Sequence, residues 1–151
     1  MADFVIRPVA MADLPVLLLL VQALTRHHGD VPGVTTESLI RDFLGPKPWF
    51  YGLVAEAGDT VVGYAALLPR ARLGFGQRGL DLHHLFVAED ARDKGIGTAL
   101  VGRAVEVARE LGCAYVIVGV HPQNVQALGY YPRLGFQRDQ GEGGVRFFQV
   151  L

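Results

Sequence analysis

The chain has 151 residues, of which half are hydrophobic and 19% are charged, and its formal net charge is −1. This composition excludes a disordered chain and predicts one folded domain spanning residues 1–151. Because no excess of basic residues exists to hold a phosphate backbone, we expect no nucleic-acid partner. The single cysteine, Cys113, cannot form an internal disulfide. It therefore favours a reducing compartment, and we expect a cytoplasmic protein.

The first predicted elements are a short strand at residues 4–7 and a helix from Asp13, expected to cap it, to Leu24. This helix contains an apolar run at residues 14–21. Eight residues are too few for a bilayer, which needs ~20. The charges before the run, two of them acidic, do not match a signal peptide. We therefore expect a core helix and no membrane partner.

The middle of the chain predicts a short helix followed by strands. Residues 36–44 have a helical pattern, which Gly45 ends. Apolar residues around a Gly58-Asp59 turn predict a hairpin with strands at residues 50–56 and 61–68. A loop rich in glycine and arginine at residues 70–79 precedes a further strand at residues 80–87.

The last third of the chain predicts alternating helices and strands. A helical period covers residues 96–111, and the apolar run at residues 115–120 is typical of a buried parallel strand. A helix at 125–134 and closing strands at 136–138 and 145–150 complete the order β-α-α-β-β-β-α-β-α-β-β. The fold class is thus α/β, with a mixed sheet and a parallel, right-handed βαβ unit between residues 80 and 120.

A glycine-containing loop joins the strand and helix of that unit. It reads Arg92-Asp93-Lys94-Gly95-Ile96-Gly97-Thr98. Glycines let backbone N–H groups approach a ligand, and the helix N-terminus favours an anion there. A nucleotide-binding P-loop is disfavoured, because no Gly-Lys-Ser/Thr follows. A dinucleotide fingerprint would need its third glycine at Leu100. Two interpretations of this loop remain, an anion-binding site and a plain strand-to-helix turn.

Two motifs together resemble the GNAT superfamily of N-acetyltransferases. They are Arg92-x-x-Gly95-x-Gly97 after an apolar strand, and Asn124-x-x-Ala127-x-x-x-Tyr131-x-x-x-Gly135-Phe136. The N-terminal stretch at residues 4–8, the stretch at residues 45–56 and Leu85-Phe86-Val87 are similar to the diamine (spermidine/spermine-type) branch. The resemblance implies the GNAT fold, acetyl-CoA as co-substrate, a small-molecule amine as acceptor and a homodimer.

The resemblance also implies roles for individual residues. The backbone of Leu85, Phe86 and Val87 would hold the pantetheine arm. The pyrophosphate would lie on residues 93–98, with Arg92 and Lys94 adding positive charge. Asn124 and Ala127 would line the other side of the arm. Tyr131 would protonate the departing thiolate, with Tyr130 as the competing residue.

Four of the five histidines fall at positions where the diamine branch contacts its acceptor. His83 matches a glutamate that acts as the base through water, and His84 and His28 match acidic contacts. His27 matches an aromatic contact, and His121 is the next candidate for the base. We expect no metal site, because adjacent strand residues such as His83 and His84 point to opposite faces.

These substitutions change the expected acceptor. A neutral imidazole gives a polycation no attraction comparable to that of a carboxylate. We therefore predict an N-acetyltransferase that uses a primary amine other than a polyamine, with His83 as the base. The alternatives are a diamine or polyamine acetyltransferase, a non-catalytic acyl-CoA-binding module and, with least support, a nucleotide-binding protein.

Overall fold

The computed structural model describes residues 3–139 and 145–151. The chain divides into two compact units, one ending at Gly119 and the other beginning at Val120. The single domain expected over residues 1–151 remains a prediction.

The first unit contains a five-stranded sheet. Its strands are β1 (Phe4–Pro8), β2 (Tyr51–Ala57), β3 (Thr60–Arg72), β4 (Gln77–Val87) and β5 (Tyr115–Ile117). They lie in the order β1-β2-β3-β4-β5, in which the first four are antiparallel neighbours and β4 and β5 are parallel. The predicted mixed sheet with a parallel βαβ unit is therefore confirmed.

Three α-helices accompany the sheet in this unit. They are α1 (Leu14–His27), α2 (Thr36–Leu39), which continues as a π-helical turn over Ile40–Leu44, and α3 (Ile96–Glu110). The expectation that the Asp13 side chain caps the first helix is wrong. Its carboxylate instead accepts the N–H of Ala10 at 2.7 Å and pairs with both Arg7 NH groups at 2.8 Å.

The helices α1 and α3 pack on opposite faces of the sheet. Tyr64 and Ala66 of β3 belong to the buried cluster that α1 and α2 form with the sheet. Because successive strand residues point to opposite faces, Ala65 and Leu67 face the other side, where α3 contacts β3 and β4. Both of these residues are fully buried.

The loop expected at residues 70–79 is instead the end of a long hairpin. The ladder between β3 and β4 continues to the pair Arg72↔Gln77, and a 3₁₀ turn at Leu73–Phe75 closes it. Gly79 belongs to β4, where it pairs with Arg70. A larger residue would not fit at this position, because the ring of Tyr115 occupies the space where a Cβ would lie. The glycine therefore marks a close packing contact inside a strand rather than a loop.

The second unit contains the helix α4 (Val125–Arg133). The closing strands expected at 136–138 and 145–150 are absent, since the described residues there form no strand. Alternating apolar residues favour a strand only when a neighbouring strand supplies hydrogen bonds, and β5 likewise ends at Ile117 instead of residue 120. Within the described part of the chain, no helix combines the length and apolar character needed to cross a bilayer.

Candidate active site

A β-bulge on β4 positions the two adjacent histidines. Ala66 pairs with His84, but the next residue, Leu67, pairs with Leu82, so His83 is an extra residue without a partner on β3. The imidazole rings of His83 and His84 are stacked, with centroids 4.8 Å apart and planes 3° apart. The expectation that these side chains point to opposite faces is therefore wrong, because the bulge interrupts the alternation of the strand.

The corrected geometry brings two potential metal ligands together but not three. Across residues 3–139 and 145–151, no group of three or more His, Cys, Asp or Glu side chains is placed to hold a metal ion. The two stacked rings also lie face to face in parallel planes, whereas the nitrogen atoms of metal-binding histidines converge on one point.

His84 is hydrogen-bonded to a buried tyrosine of the neighbouring strand. The Tyr64 hydroxyl lies 2.9 Å from His84 Nδ1, and Tyr64 is only 1% exposed. Burial raises the pKa of Tyr64 well above its usual value. Burial, together with the charges of His83 and His28, lowers the pKa of His84 to about 4. His84 is therefore a neutral imidazole at physiological pH.

A pocket of about 190 Å³ opens beside these histidines. It is lined by Val21, Val34, Ser38, Leu39, Asp42, Phe43, Phe50, Tyr64, Ala66, His83 and His84. Phe50 forms part of the wall and lies 5.3 Å from His83 between ring centroids. The pocket is thus mainly apolar, with a few polar groups, as is usual for small-molecule sites.

Sequence reasoning missed Asp42, the carboxylate of this pocket. The π-helical turn carries Asp42 next to Phe43, and its backbone carbonyl accepts the N–H groups of Trp49 and Phe50. Arg41 holds the carboxylate through two hydrogen bonds of 2.9 and 3.0 Å, which lower the pKa of Asp42. The sequence signal was an adjacent pair of opposite charges, Arg41 and Asp42, just before Gly45.

The histidines at the end of α1 lie outside the pocket lining. His27 belongs to the last turn of α1, His28 follows it, and their ring centroids are 6.1 Å apart. His28 is near enough to contribute to the lowered pKa of His84. The structure therefore connects His28 to the predicted acceptor site electrostatically, whereas His27 contacts the ring of His28.

The C-terminal half of β4 has an edge that no strand covers. In the described chain, β5 pairs with β4 only from Gly79 to Asp81. The Ala88 N–H donates to Val62 O on β3, so alternation turns the polar backbone groups of Phe86 toward β3 as well. The polar backbone groups of Leu85 and Val87 face the open edge.

The loop after β4 brings positive charge and backbone N–H groups to the start of α3. Asp93 has a φ of +63° and Gly95, the N-cap residue of α3, has a φ of +82°. Arg92 donates from Nε to Val87 O at 2.9 Å, and its guanidinium lies 5.6 Å from the Phe86 ring centroid. The first N–H groups of a helix have no acceptor within the helix, so this end of α3 suits an anion.

The second unit carries the remaining predicted residues. Asn124 caps α4, because its Oδ1 accepts the Ala127 N–H at 3.1 Å. The Tyr131 ring lies 5.2 Å from Tyr130 and 5.5 Å from Phe136 between centroids. Burial raises the pKa of Tyr131 to about 12, so its hydroxyl keeps its proton at neutral pH. His121 Nδ1 accepts the N–H of Gln123 at 3.1 Å.

Three relatives of the chain are acetyltransferases by name. The thialysine N-epsilon-acetyltransferase of Bos taurus is 29% identical over 91% of this chain and 86% of its own length. The L-methionine sulfoximine/L-methionine sulfone acetyltransferase of Pseudomonas paraeruginosa is 30% identical over 87% of this chain and 79% of its own length. N-acetyltransferase 8B of Rattus norvegicus is 35% identical over 74% of this chain, but the match spans only 47% of that relative.

Solved structures share the fold at lower sequence identity. A probable acetyltransferase superposes with a TM-score of 0.84 at 22% identity, covering 97% of this chain and 98% of that one. An aminoglycoside acetyltransferase from an uncultured soil sample, in complex with sisomicin, superposes with a TM-score of 0.78 at 20% identity, covering 99% of this chain and 97% of that one.

The family profile covers most of the chain. The profile described as the acetyltransferase (GNAT) family matches residues 20–136, a range that includes the histidine pocket, the glycine-containing loop and α4. The match confirms the resemblance stated from the motifs. This chain belongs to the acetyltransferase (GNAT) family.

Proposed function

We propose that the chain transfers the acetyl group of acetyl-CoA to the uncharged primary amine of a small molecule bound in the pocket beside His83 and His84. The observation that carries this proposal is the arrangement of β4. Its bulge presents two imidazoles to a pocket, and its last residues present an open edge that leads directly to the N-terminus of α3. One strand thus adjoins both an acceptor-sized pocket and an anion-binding helix end.

The cofactor portion of the proposal uses the backbone. Leu85 and Val87 would bind the amide groups of the pantetheine arm, as a neighbouring strand would. The pyrophosphate would lie at residues 93–98, with Arg92 and Lys94 nearby. The family supports acetyl-CoA as co-substrate, and the fit rests on the edge of β4 that no described strand covers and on the start of α3, which has no side-chain cap.

The chemistry needs a base and an acid. The amine lone pair forms the N–C bond to the thioester carbonyl, the C–S bond breaks, and the amine loses one proton while the thiolate gains one. His83, exposed at the bulge, would accept the amine proton directly or through water. We assign the proton donor to Tyr131, whose raised pKa keeps it protonated.

The acceptor is expected to carry a low positive charge. Among the described residues that line the pocket, Asp42 is the one carboxylate, and Arg41 already neutralises it. His84 contributes no charge at neutral pH because of its lowered pKa. A polyamine therefore gains little Coulomb energy in this pocket, and we expect spermidine and spermine to be poor substrates.

An acceptor screen tests the proposal. Thiol release from acetyl-CoA is measured with polyamines, lysine analogues, amino acids, aminoglycosides and peptide N-termini. We expect turnover with a smaller or less cationic amine and weak turnover with spermine. Efficient acetylation of spermine at neutral pH would restore the alternative of a polyamine acetyltransferase. Acetyl-CoA binding without turnover of any amine would favour a non-catalytic acyl-CoA-binding module.

The variant His84→Glu sharpens the test of acceptor charge. A carboxylate at this position, which matches an acidic contact in the diamine branch, should attract a cationic acceptor. We expect kcat/KM for spermidine to rise several-fold. We expect kcat/KM to fall for the best acceptor that has no charged group besides the reacting amine. An unchanged ratio between the two substrates would contradict the assignment of position 84 to the acceptor site.

We also propose that the protein is a cytoplasmic homodimer that binds neither nucleic acid nor membranes. The homodimer is supported by the resemblance to the diamine branch, and the reducing compartment by the single Cys113. Light scattering coupled to size-exclusion chromatography measures the mass of the particle. A mass of about one chain, 16.4 kDa, would contradict the dimer.

A further inference from the structure

We infer that Tyr64 holds His84 as a neutral hydrogen-bond donor, and that the pocket therefore takes amines carrying an uncharged hydroxyl or carbonyl oxygen. The inference rests on the proposed function for the amine, and it adds the chemical group that accompanies it. Tyr64 is a positioning residue in this account, and His84 determines specificity.

The first step is the direction of the Tyr64–His84 hydrogen bond. Among the residues that the structure describes, His84 Nδ1 is the only hydrogen-bond partner of the Tyr64 hydroxyl, at 2.9 Å. The hydroxyl is buried and protonated, so it donates to Nδ1. A neutral imidazole whose Nδ1 accepts a hydrogen bond carries its proton on Nε2. His84 is therefore the Nε2–H tautomer.

The second step concerns what Nε2–H can reach. His84 is half-buried and lines the pocket. Within the described chain, no buried side-chain nitrogen or oxygen lacks a hydrogen-bond partner. None of the described residues hydrogen-bonds His84 Nε2, so this nitrogen is not fully buried and is accessible from the pocket. A ligand oxygen placed there would satisfy a donor that is otherwise satisfied by water.

The third step is the charge around the donor. His83 stacks on His84, His28 contributes to its lowered pKa, and Asp42 is paired with Arg41 on the π-helical turn. A second ammonium on the acceptor would meet an N–H donor instead of an acceptor. An added carboxylate would gain no ion pair from Arg41, because that guanidinium is already paired with Asp42. An uncharged oxygen is the group that matches the donor without either conflict.

Nuclear magnetic resonance tests the tautomer without any need for turnover. In protein labelled with ¹⁵N-histidine at pH 7, couplings between ring nitrogens and ring carbon-bound protons identify which nitrogen is protonated. His84→Gln assigns the His84 signals by their loss. We expect the Nε2–H form in the unmodified protein and a shift toward mixed tautomers in Tyr64→Phe. The control Tyr51→Phe changes an exposed tyrosine of β2 outside the pocket lining and should leave the signals unchanged.

A matched set of amines tests the acceptor group. Propylamine, 3-aminopropan-1-ol and 1,3-diaminopropane differ only at the end remote from the reacting amine. We expect kcat/KM for the alcohol to exceed that for propylamine by up to about tenfold, the effect of one hydrogen bond. The advantage of the alcohol over propylamine should appear as a lower KM. It should be lost in His84→Leu and partly retained in His84→Gln, because the glutamine amide can also donate a hydrogen bond.

The outcomes separate this inference from the proposed function. An Nδ1–H tautomer in the unmodified protein overturns the inference even if amines are acetylated. Equal use of the alcohol and propylamine, or an advantage that persists in His84→Leu, also overturns it. If no amine is acetylated, the proposed function fails, and titration of the CoA complex with the same amines decides the inference through the His84 Nε2 signal. A change in the chemical shift of His84 Nε2 with 3-aminopropan-1-ol alone supports the inference. Equal changes with 3-aminopropan-1-ol and propylamine overturn it.

Discussion

The pocket beside His83 and the loop that begins α3 are built from different parts of the polypeptide. The loop uses neighbouring residues whose backbone takes unusual conformations, with positive φ at Asp93 and Gly95. The pocket uses side chains from α1, α2, the π-helical turn, two strands (β3 and β4) and two connecting segments, which are far apart in the sequence. A site formed by backbone groups tolerates many side-chain changes, whereas a pocket formed by side chains changes its ligand with each substitution.

The change expected to separate the two regions most is His83→Ala. If His83 removes the amine proton, kcat should fall by ~10²–10⁴, the usual contribution of a positioned general base. Acetyl-CoA affinity should stay the same, because the bulge is separate from residues 92–98. Steady-state kinetics and calorimetry measure the two quantities. Near-normal kcat in this variant would transfer the role to another group, with His121 considered next.

A substitution in the loop should have the opposite pattern. Val at position 97, in the first turn of α3, should block the approach of the pyrophosphate to the backbone. We expect Gly97→Val to weaken acetyl-CoA binding tenfold or more, which is about 1.4 kcal/mol. The matched control is Gly102→Val in the same helix, where an added Cβ meets no atom within 4 Å. Equal affinity in both variants, each folded, would remove the loop from the site.

The smallest effect on activity is expected from a change outside both regions. Asp13 is 5% exposed and pairs with Arg7, whose hydrogen bonds lower the pKa of Asp13. We expect Asp13→Asn to lower the free energy of unfolding by about 2 kcal/mol at pH 7 and to leave kcat and acetyl-CoA affinity unchanged.

The pH dependence of this stability has a defined sign. A carboxylate with a lowered folded pKa stabilises the protein fully above its unfolded pKa of ~3.9, and the contribution is lost as the pH falls toward the folded value. Urea unfolding between pH 6 and pH 3 measures the difference in the free energy of unfolding between the unmodified protein and Asp13→Asn. This difference should decrease as the pH falls. Asp59→Asn at the β2–β3 turn is the control. A difference in the free energy of unfolding that does not depend on pH would assign the effect of Asp13→Asn to packing.

The sequence predicted the central part of the fold well because its signals are local. The helical period after Gly95 and the apolar strand before Arg92 each depend on residues close together in the chain, and the structure confirms both. The stacked histidines were not predictable in this way. A bulge depends on how β4 pairs with β3, and alternation alone placed His83 and His84 on opposite faces.

Two other differences have the same physical origin. The glycine-rich stretch before Leu80 was expected to be a loop, but the ring of Tyr115, 36 residues after Gly79 in the sequence, explains a glycine inside a strand. Asp42 enters the pocket through a π-helical turn, which residues 36–44 do not reveal by their pattern. Features that depend on contacts between distant residues were missed, and these features form the pocket.

The bulge at His83 also determines which changes in chain length β4 can accept. Leu82 and Leu85, three residues apart, share a face of the sheet only because the extra residue His83 lies between them, whereas their pairing partners Leu67 and Ala65 are two residues apart. Deleting that residue would reverse the orientation of every side chain on one side of the deletion and expose leucines to solvent or bury polar groups. Directed evolution of new acceptor preferences should therefore succeed through substitutions at residue 84 and fail through insertions or deletions in this strand.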